Sequence, residues 1–100
     1  MATTSKVLAR TAAATSSATL YTVPSATTTV VTNIVVSNTT STAGTFTLSL
    51  NGIEIATAVG IAANDSVTID LKQVINATQT IAGSASATTI NFHISGVEIA

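Results

Sequence analysis

Apolar and polar residues alternate with a period of two along most of the chain from Leu20 onward. Residues 45–50 show this most clearly, because Phe46, Leu48 and Leu50 alternate with threonine and serine. Such alternation is typical of a strand with one buried face. Turn residues separate similar segments, and no segment carries a convincing helical pattern. The pattern predicts an all-β fold: an antiparallel β-sandwich, jelly-roll or immunoglobulin-like, of about eight short strands.

The Asn-Gly dipeptide at 51–52 predicts a tight hairpin near the middle of the chain. Both central positions of a type I′ turn need positive φ, which asparagine and glycine tolerate best. A two-residue turn here would pair Leu50 with Ile53 and Leu48 with Ile55. All four residues fall on the apolar face, so the turn and the alternation predict the same register.

A second hairpin is predicted at the end of the chain. Residues 89–94 alternate, Ser-Gly follows at 95–96, and residues 97–99 would return as the partner strand. This register places His93 opposite Glu98 on the solvent face. We expect the two side chains to form a surface pair.

Residues 28–37 form the longest predicted strand, and it is apolar on both faces. In strict alternation Val31 and Val35 lie on one face, and the other face carries Val30, Ile34 and Val36. A strand that is apolar on both faces is buried on both. We therefore expect Val31 and Val35 to lie at a contact between subunits.

The first 18 residues are rich in alanine, threonine and serine, with one apolar pair at Val7 and Leu8. The short alanine run at 12–14 is followed at once by threonine and serine, which limits any helix to about one turn. We predict an extended N-terminal arm at 1–18, containing at most one edge strand, followed by a β-sandwich domain at 19–100. The arm would reach a neighbouring subunit through Val7 and Leu8.

Charge is scarce in this sequence. Of 100 residues, 46% are hydrophobic and only seven are charged, three cations and four anions, with a mean hydropathy of +0.58. Three scattered cations do not provide the basic patch that nucleic acid requires. No apolar stretch approaches the ~18 residues of a membrane span, and no apolar leader follows the start, so we expect synthesis and assembly in a cytoplasm. A surface this poor in charge favours self-association, and we expect a homo-oligomer.

Catalytic and metal-binding candidates are few. There is no cysteine and a single histidine, His93, and the four acidic residues are spread along the chain: Glu54, Asp65, Asp70 and Glu98. General acid–base catalysis needs titratable groups that converge, and the alternation places Asp65 and Asp70 on opposite faces. We predict no enzymatic activity, no cofactor and no metal site.

Four segments of the chain, read together, resemble a family of small all-β virion proteins of tailed bacteriophages. They are Leu-Tyr-Thr-Val-Pro at 20–24, the valine-rich strand at 28–38, the segment at 61–71 containing Ala-Asn-Asp-Ser, and the ending at 91–99. The resemblance implies a non-enzymatic component of a virus particle, present in copies related by symmetry. It carries over no catalytic residue.

These inferences lead to one expected function and two alternatives. We expect a capsid decoration or cement protein, a homotrimer that binds the major capsid protein on the outer surface of a phage head and stabilises it. The first alternative is a tail, neck or fibre-associated module that contacts the host. The second is a stand-alone carbohydrate-binding module, which is weakened because Tyr21 is the only aromatic residue predicted to be exposed.

Overall fold

A computed structural model describes residues 3–100, so the first two residues of the predicted arm lie outside the described residues. Eight strands and no helix occur between these limits, which confirms the all-β prediction. The strands are β1 (Thr3–Ala12), β2 (Ala18–Thr22), β3 (Thr28–Asn38), β4 (Gly44–Leu50), β5 (Ile53–Ile61), β6 (Ser66–Ile75), β7 (Thr80–Ala85) and β8 (Ile90–Ile99).

The strands form two antiparallel four-stranded sheets. The first sheet has the order β1-β8-β3-β6 and the second has the order β2-β7-β4-β5. Each strand of the first half of the chain thus pairs with one of the second half: β1 with β8, β2 with β7, β3 with β6 and β4 with β5. This is the winding of a jelly roll. It differs from the immunoglobulin order, which divides its strands as ABED and CFG.

Aliphatic side chains from the inner faces of both sheets fill the core. Phe46 of β4 and Phe92 of β8 lie at its centre, with ring centroids 6.4 Å apart and planes inclined by 75°. This edge-to-face geometry is favoured for aromatic pairs. Both rings are fully buried, as the alternation predicts.

The predicted turn at 51–52 is present and joins β4 to β5. Asn51 has φ of 50° and Gly52 has φ of 79°, which are the positive values that the type I′ prediction requires. Leu50 lies opposite Ile53, as predicted. The predicted pairing of Leu48 with Ile55 is wrong, because the register shifts on both sides of Leu48 and brings Ala56 opposite it. A bulge of this kind inserts a residue that alternation cannot foresee.

The predicted hairpin at 95–96 is wrong. β8 runs without interruption from Ile90 to Ile99 and is hydrogen-bonded to β1 on one side and β3 on the other. Gly96 lies on the inner face of β8, where a Cβ atom would collide with the Val30 carbonyl oxygen and lie 2.9 Å from Leu8 Cδ1. The glycine therefore permits a close approach of backbone within a strand, which is the other common role of glycine in sheets.

The predicted faces of β3 are also partly wrong. A register shift between Val31 and Asn33 adds one residue to β3 relative to β8, while β6 has one residue more than β3 at the same level. Val31 therefore points into the core, fully buried, together with Ile34 and Val36. Val30 lies on the outer face instead. The apolar residues that suggested two separate faces thus belong mostly to one.

The segment predicted as an arm contains an edge strand of the first sheet. β1 pairs with β8 from Thr3 to Ala12. A bulge at Leu8 turns that side chain into the core, and Ala13 is buried just beyond the strand. β1 contacts β2, so these two strands form one lateral side of the sandwich, and β5 and β6 form the opposite side.

Gly96→Ala should destabilise the protein by about 1–3 kcal/mol, because the added methyl group overpacks the core against the β3 backbone. Gly60 of β5 is the matched control, since a Cβ there would meet nothing within 4 Å. Gly60→Ala should be neutral or stabilising by up to about 1 kcal/mol, through reduced freedom of the unfolded chain. Urea unfolding measures both, and equal effects would contradict the close approach at Gly96.

Candidate interaction surface

Most of the exposed large aliphatic side chains lie on one lateral side of the sandwich. Ile53, Ile55 and Val59 lie on β5, and Val74 lies on β6. Ile53 is 72% exposed and Val74 is 61% exposed. We call this lateral side, formed by β5 and β6, the open side. The fifth exposed aliphatic residue, Val7, lies on β1 at the opposite lateral side.

The open side is exposed because neither of its strands covers the other. Register places Ile53 opposite Leu50 and Val59 opposite Phe46, so both residues belong to the inner face of β5. β6, however, is hydrogen-bonded only to β3 in the other sheet. Ile75 of β6 is fully buried, but three other inward residues of the strand are only half-buried: Val67, Ile69 and Leu71. Apolar surface that would be core in a closed sandwich is therefore open to solvent.

The outer face of the first sheet continues this apolar surface at one level. Val74 lies opposite Val30, which lies opposite Val97, so three valines form a row across β6, β3 and β8. Each residue of a row belongs to the same face, since side chains alternate along every strand. The row ends at Ser5 on β1.

The next two rows of the same face carry charge at the sheet edges. Asp70 lies on β6 opposite Asn33, and Arg10 lies on β1 opposite His93. Within residues 3–100 the one salt bridge joins Lys6 to Glu98, so neither Arg10 nor Asp70 has an oppositely charged partner there. The β1 edge of this face thus carries the cation Arg10, whereas the β6 edge carries the anion Asp70 and, two residues farther on, the exposed cation Lys72.

A shallow hollow of about 400 Å³ lies on the outer face beside Arg10. Arg10 and His93 line it together with hydroxyl and amide side chains such as Ser37 and Asn91. Among residues 3–100, no carboxylate lines the hollow.

A hydrogen-bonded polar cluster links the two sheets near the end of β8. The Tyr21 hydroxyl of β2 donates to Glu98 Oε2 and lies 2.9 Å from Thr29 Oγ1. Lys6 Nζ lies 3.4 Å from Glu98 Oε1. Thr29 is fully buried on the inner face of β3, directly opposite Glu98. The Tyr21 hydroxyl therefore provides a hydrogen-bond partner for both a buried hydroxyl group and a carboxylate. Its role differs from the stacking on a ligand that an exposed aromatic residue can provide.

The cluster shifts the pKa of both of its titratable partners. The hydrogen bond from Tyr21 lowers the pKa of Glu98 below its ordinary value, partial desolvation opposes this, and Lys6 adds to the lowering. Burial raises the pKa of Tyr21, and the bond to Glu98 raises it further. The arrangement therefore favours a charged carboxylate beside a neutral phenol.

The predicted surface pair of His93 and Glu98 is wrong. Both residues lie on the continuous strand β8, where His93 is opposite Arg10 and Glu98 is opposite Thr4. Without a turn at 95–96 the two positions cannot face each other. Sequence reasoning missed the real partners of Glu98, because Tyr21 and Lys6 come from strands far away in the chain.

The four residues predicted to lie at subunit contacts separate into two groups. Leu8 and Val31 are core residues of this sandwich, as a result of the bulges in β1 and β3. Val7 is exposed, and Val35 is half-buried on the outer face opposite His93. The subunit contact itself stays a prediction, and only Val7 and Val35 remain accessible to take part in it.

Neither a metal-binding cluster nor a membrane-spanning helix occurs among residues 3–100. No group of three or more histidine, cysteine, aspartate or glutamate side chains is placed to hold a metal ion. No helix in this part of the chain has the length and apolar character needed to cross a membrane.

Tyr21→Phe should make the free energy of unfolding depend less steeply on pH in acid. A carboxyl whose pKa is lowered by folding adds stability above its unfolded pKa of ~4.3, and this is lost as the pH falls through the folded value. Without the tyrosine hydroxyl the folded pKa of Glu98 moves back towards the unfolded one. Urea midpoints between pH 7 and pH 3 should therefore fall less steeply than in the wild type.

Glu98→Gln should flatten the same acid limb further, because it removes the titrating carboxyl and with it the effect of Lys6. The double variant should be no flatter than Glu98→Gln alone, because the tyrosine acts on this limb only through Glu98. At the alkaline end the raised pKa of Tyr21 adds stability below pH ~10 that is lost above it. If the urea midpoint of Tyr21→Phe fell as steeply between pH 7 and pH 3 as that of the wild type, this would contradict the role given to the cluster.

Ile53→Thr should change the free energy of unfolding by less than about 0.5 kcal/mol, because the side chain is already in water. The same substitution at Ile94, which is fully buried, should cost at least about 2 kcal/mol. Chemical denaturation of both variants at low protein concentration makes the comparison. A large loss at Ile53 would show that the open side is needed for folding itself.

No protein-family model matches this chain, and no curated protein matches it. Among solved structures, it is similar to a pentameric capsid protein isolated from metagenomic phage sequences, at 14% identity and a TM-score of 0.39, over 96% of this chain and 59% of that one. It is also similar to the Agl-KA catalytic domain, at 12% identity and a TM-score of 0.38, over 98% of this chain and 26% of that one. The chain thus spans less than two thirds of either protein, and likeness this distant assigns no function.

Proposed function

We propose that this protein is a non-enzymatic structural component of a phage particle. In this proposal it is a capsid decoration protein that forms a symmetric homotrimer on the outer surface of the head and stabilises the shell. The observation that carries the proposal is the open side: Ile53, Ile55, Val59 and Val74 remain exposed in a chain with only seven charges.

Exposed aliphatic side chains that are contiguous mark a contact surface. Single exposed hydrophobic residues are ordinary, whereas an apolar patch on a soluble domain indicates a partner or an aggregation hazard. Sheets usually protect their edges with charge, but β5 carries only Glu54. An assembly that covers the open side removes both problems at once.

The outer face of the second sheet also supports an assembly role. Its outer face carries short polar and small side chains, among them Thr19, Ala82 and Ser49 in one row, with Glu54 at the β5 edge. A flat face without long charged side chains loses little side-chain entropy when a neighbour covers it. This favours close contact with a shell or with other copies.

The positions of the acidic residues support a non-enzymatic protein. Asp70 lies on the outer face of the first sheet, Glu54 lies in the second sheet, and Glu98 is held by Tyr21 and Lys6. No two of these three carboxylates come from neighbouring positions of one face. The resemblance of the sequence to small phage virion proteins supports a particle as the place of assembly, made in the host cytoplasm and bound to the major capsid protein.

Counting the copies of the chain in purified phage particles tests the proposal. Quantitative mass spectrometry against the major capsid protein should give copies in the hundreds, since a decoration protein follows the symmetry of the shell. Particles carrying the combined variant Ile53→Thr, Ile55→Thr and Val59→Thr should lose most of these copies. Thr45→Ser, on the outer face of the second sheet, is the control that should keep them.

Each other count has a definite meaning. A few copies, or a few dozen, would contradict decoration and favour the tail, neck or fibre alternative. Absence of the chain from purified particles would contradict any virion role.

A further inference from the structure

We infer that the β6 edge of one copy binds the β1 edge of a second copy, with Val74 against Val7 and Asp70 opposite Arg10. The inference deepens the proposed function, on which it rests only for the premise that copies of the chain associate. It names the two surfaces that meet and the groups that align them.

Strand direction allows this contact. The first sheet has four antiparallel strands, so its edge strands β1 and β6 run in opposite directions. A second copy placed beside the first, with its corresponding strands running in the same directions, therefore presents β1 antiparallel to β6 of the first. Antiparallel neighbours are the arrangement that sheets form most readily.

The spacing of the contact groups matches on the two edges. On β1, Val7 lies opposite Ser95 and Arg10 opposite His93, so the two residues occupy adjacent rows of the outer face. On β6, Val74 lies in the row of Val97 and Asp70 in the row of Ser95, which are also adjacent. If the second copy is shifted by one row, ~7 Å along the strands, Val74 lies level with Val7 of that copy. The same shift also places Asp70 level with its Arg10.

Both pairs gain from the contact. Val74 is 61% exposed and Val7 is 44% exposed, and each would be covered by the other. Arg10 and Asp70 have no oppositely charged partner among residues 3–100 of their own copy, and each would obtain one across the contact. The exposed Lys72 lies between Asp70 and Val74 on β6, so the attraction depends on Asp70 standing level with Arg10 and not on a net charge of the edge. Complementary charges at the margin of an apolar contact set its register and exclude wrong pairings.

A contact between two identical edges would not cover and pair the same residues. β1 contains Lys6 and Arg10 but no acidic residue, so two β1 edges would bring only positive charge together. A β6–β6 contact would leave Val7 and Arg10 of both copies uncovered. The favoured contact is therefore head-to-tail. Its one-row shift is compatible with a closed ring only when the strands are inclined to the ring axis, as they are in a barrel, and otherwise repetition gives an open filament.

Engineered cysteines test the contact directly, because the chain has none of its own. Val7→Cys and Val74→Cys in one chain lie on opposite edges of a four-stranded sheet, ~14 Å apart. A disulfide needs Cα atoms within about 7 Å, so any bond must join two copies. Mild oxidation should give dimers and higher species on a non-reducing gel, about tenfold more than the control pair Val7→Cys with Thr88→Cys, since Thr88 lies exposed in the loop between β7 and β8, away from both edges.

Charge reversal supplies a second measurement that does not depend on the cysteine pair folding well. Added to Val7→Cys/Val74→Cys, Arg10→Asp should lower the cross-linked yield about tenfold. Adding Asp70→Arg as well should restore it, because the opposite charges then face each other again. Circular dichroism of each variant verifies the fold.

Equal cross-linking by the test and control pairs, no cross-linking by either, or failure of the second charge change to restore the yield would each overturn the contact. The copy count of the proposed function is independent of these results. Failed cross-linking with hundreds of copies per particle would reject the contact alone. Specific cross-linking without any copies on particles would reject the virion role and leave the contact in place.

Discussion

The fold depends on the pairing of the first half of the chain with the second about the turn at Asn51 and Gly52. β4 and β5 pair directly across this turn, and β3 with β6, β2 with β7 and β1 with β8 follow outward from it. The turn lies at the middle of the 100 residues, so both halves are used fully. Winding this long hairpin into two sheets places Phe46 and Phe92 face to edge in the core.

The same winding determines which apolar surface stays in contact with water. β1 and β2 contact each other at one lateral side. At the other side β5 and β6, which belong to the two strand pairs nearest the turn, are the edge strands of different sheets. Ile53 and Val59 therefore lie on an inner face that no strand covers. With so few charges elsewhere, the protein has little with which to keep copies apart. Self-association is the physical consequence that we propose.

Local sequence chemistry predicted the all-β class, the turn and part of the core. It succeeded where neighbours along the chain decide the outcome, as in the alternation that buries Phe46 and the asparagine and glycine that adopt positive φ. It failed where distant strands decide. Gly96 looks like a turn residue in sequence, and only the approach of β3 shows that it belongs inside a strand. The bulge that buries Val31 and the bond from Tyr21 to Glu98 likewise depend on partners remote in sequence.

The central claim is that the uncovered aliphatic residues and sparse charges exist for contact between copies of the chain. Sedimentation velocity of the purified wild-type protein over a wide concentration range tests this most directly. The claim predicts that the weight-average mass rises reversibly from the 9.9 kDa of one chain towards a small closed oligomer, and that added salt weakens the association through the screening of charges at the contact. A protein that sediments as a 9.9 kDa monomer at every concentration and ionic strength would contradict it.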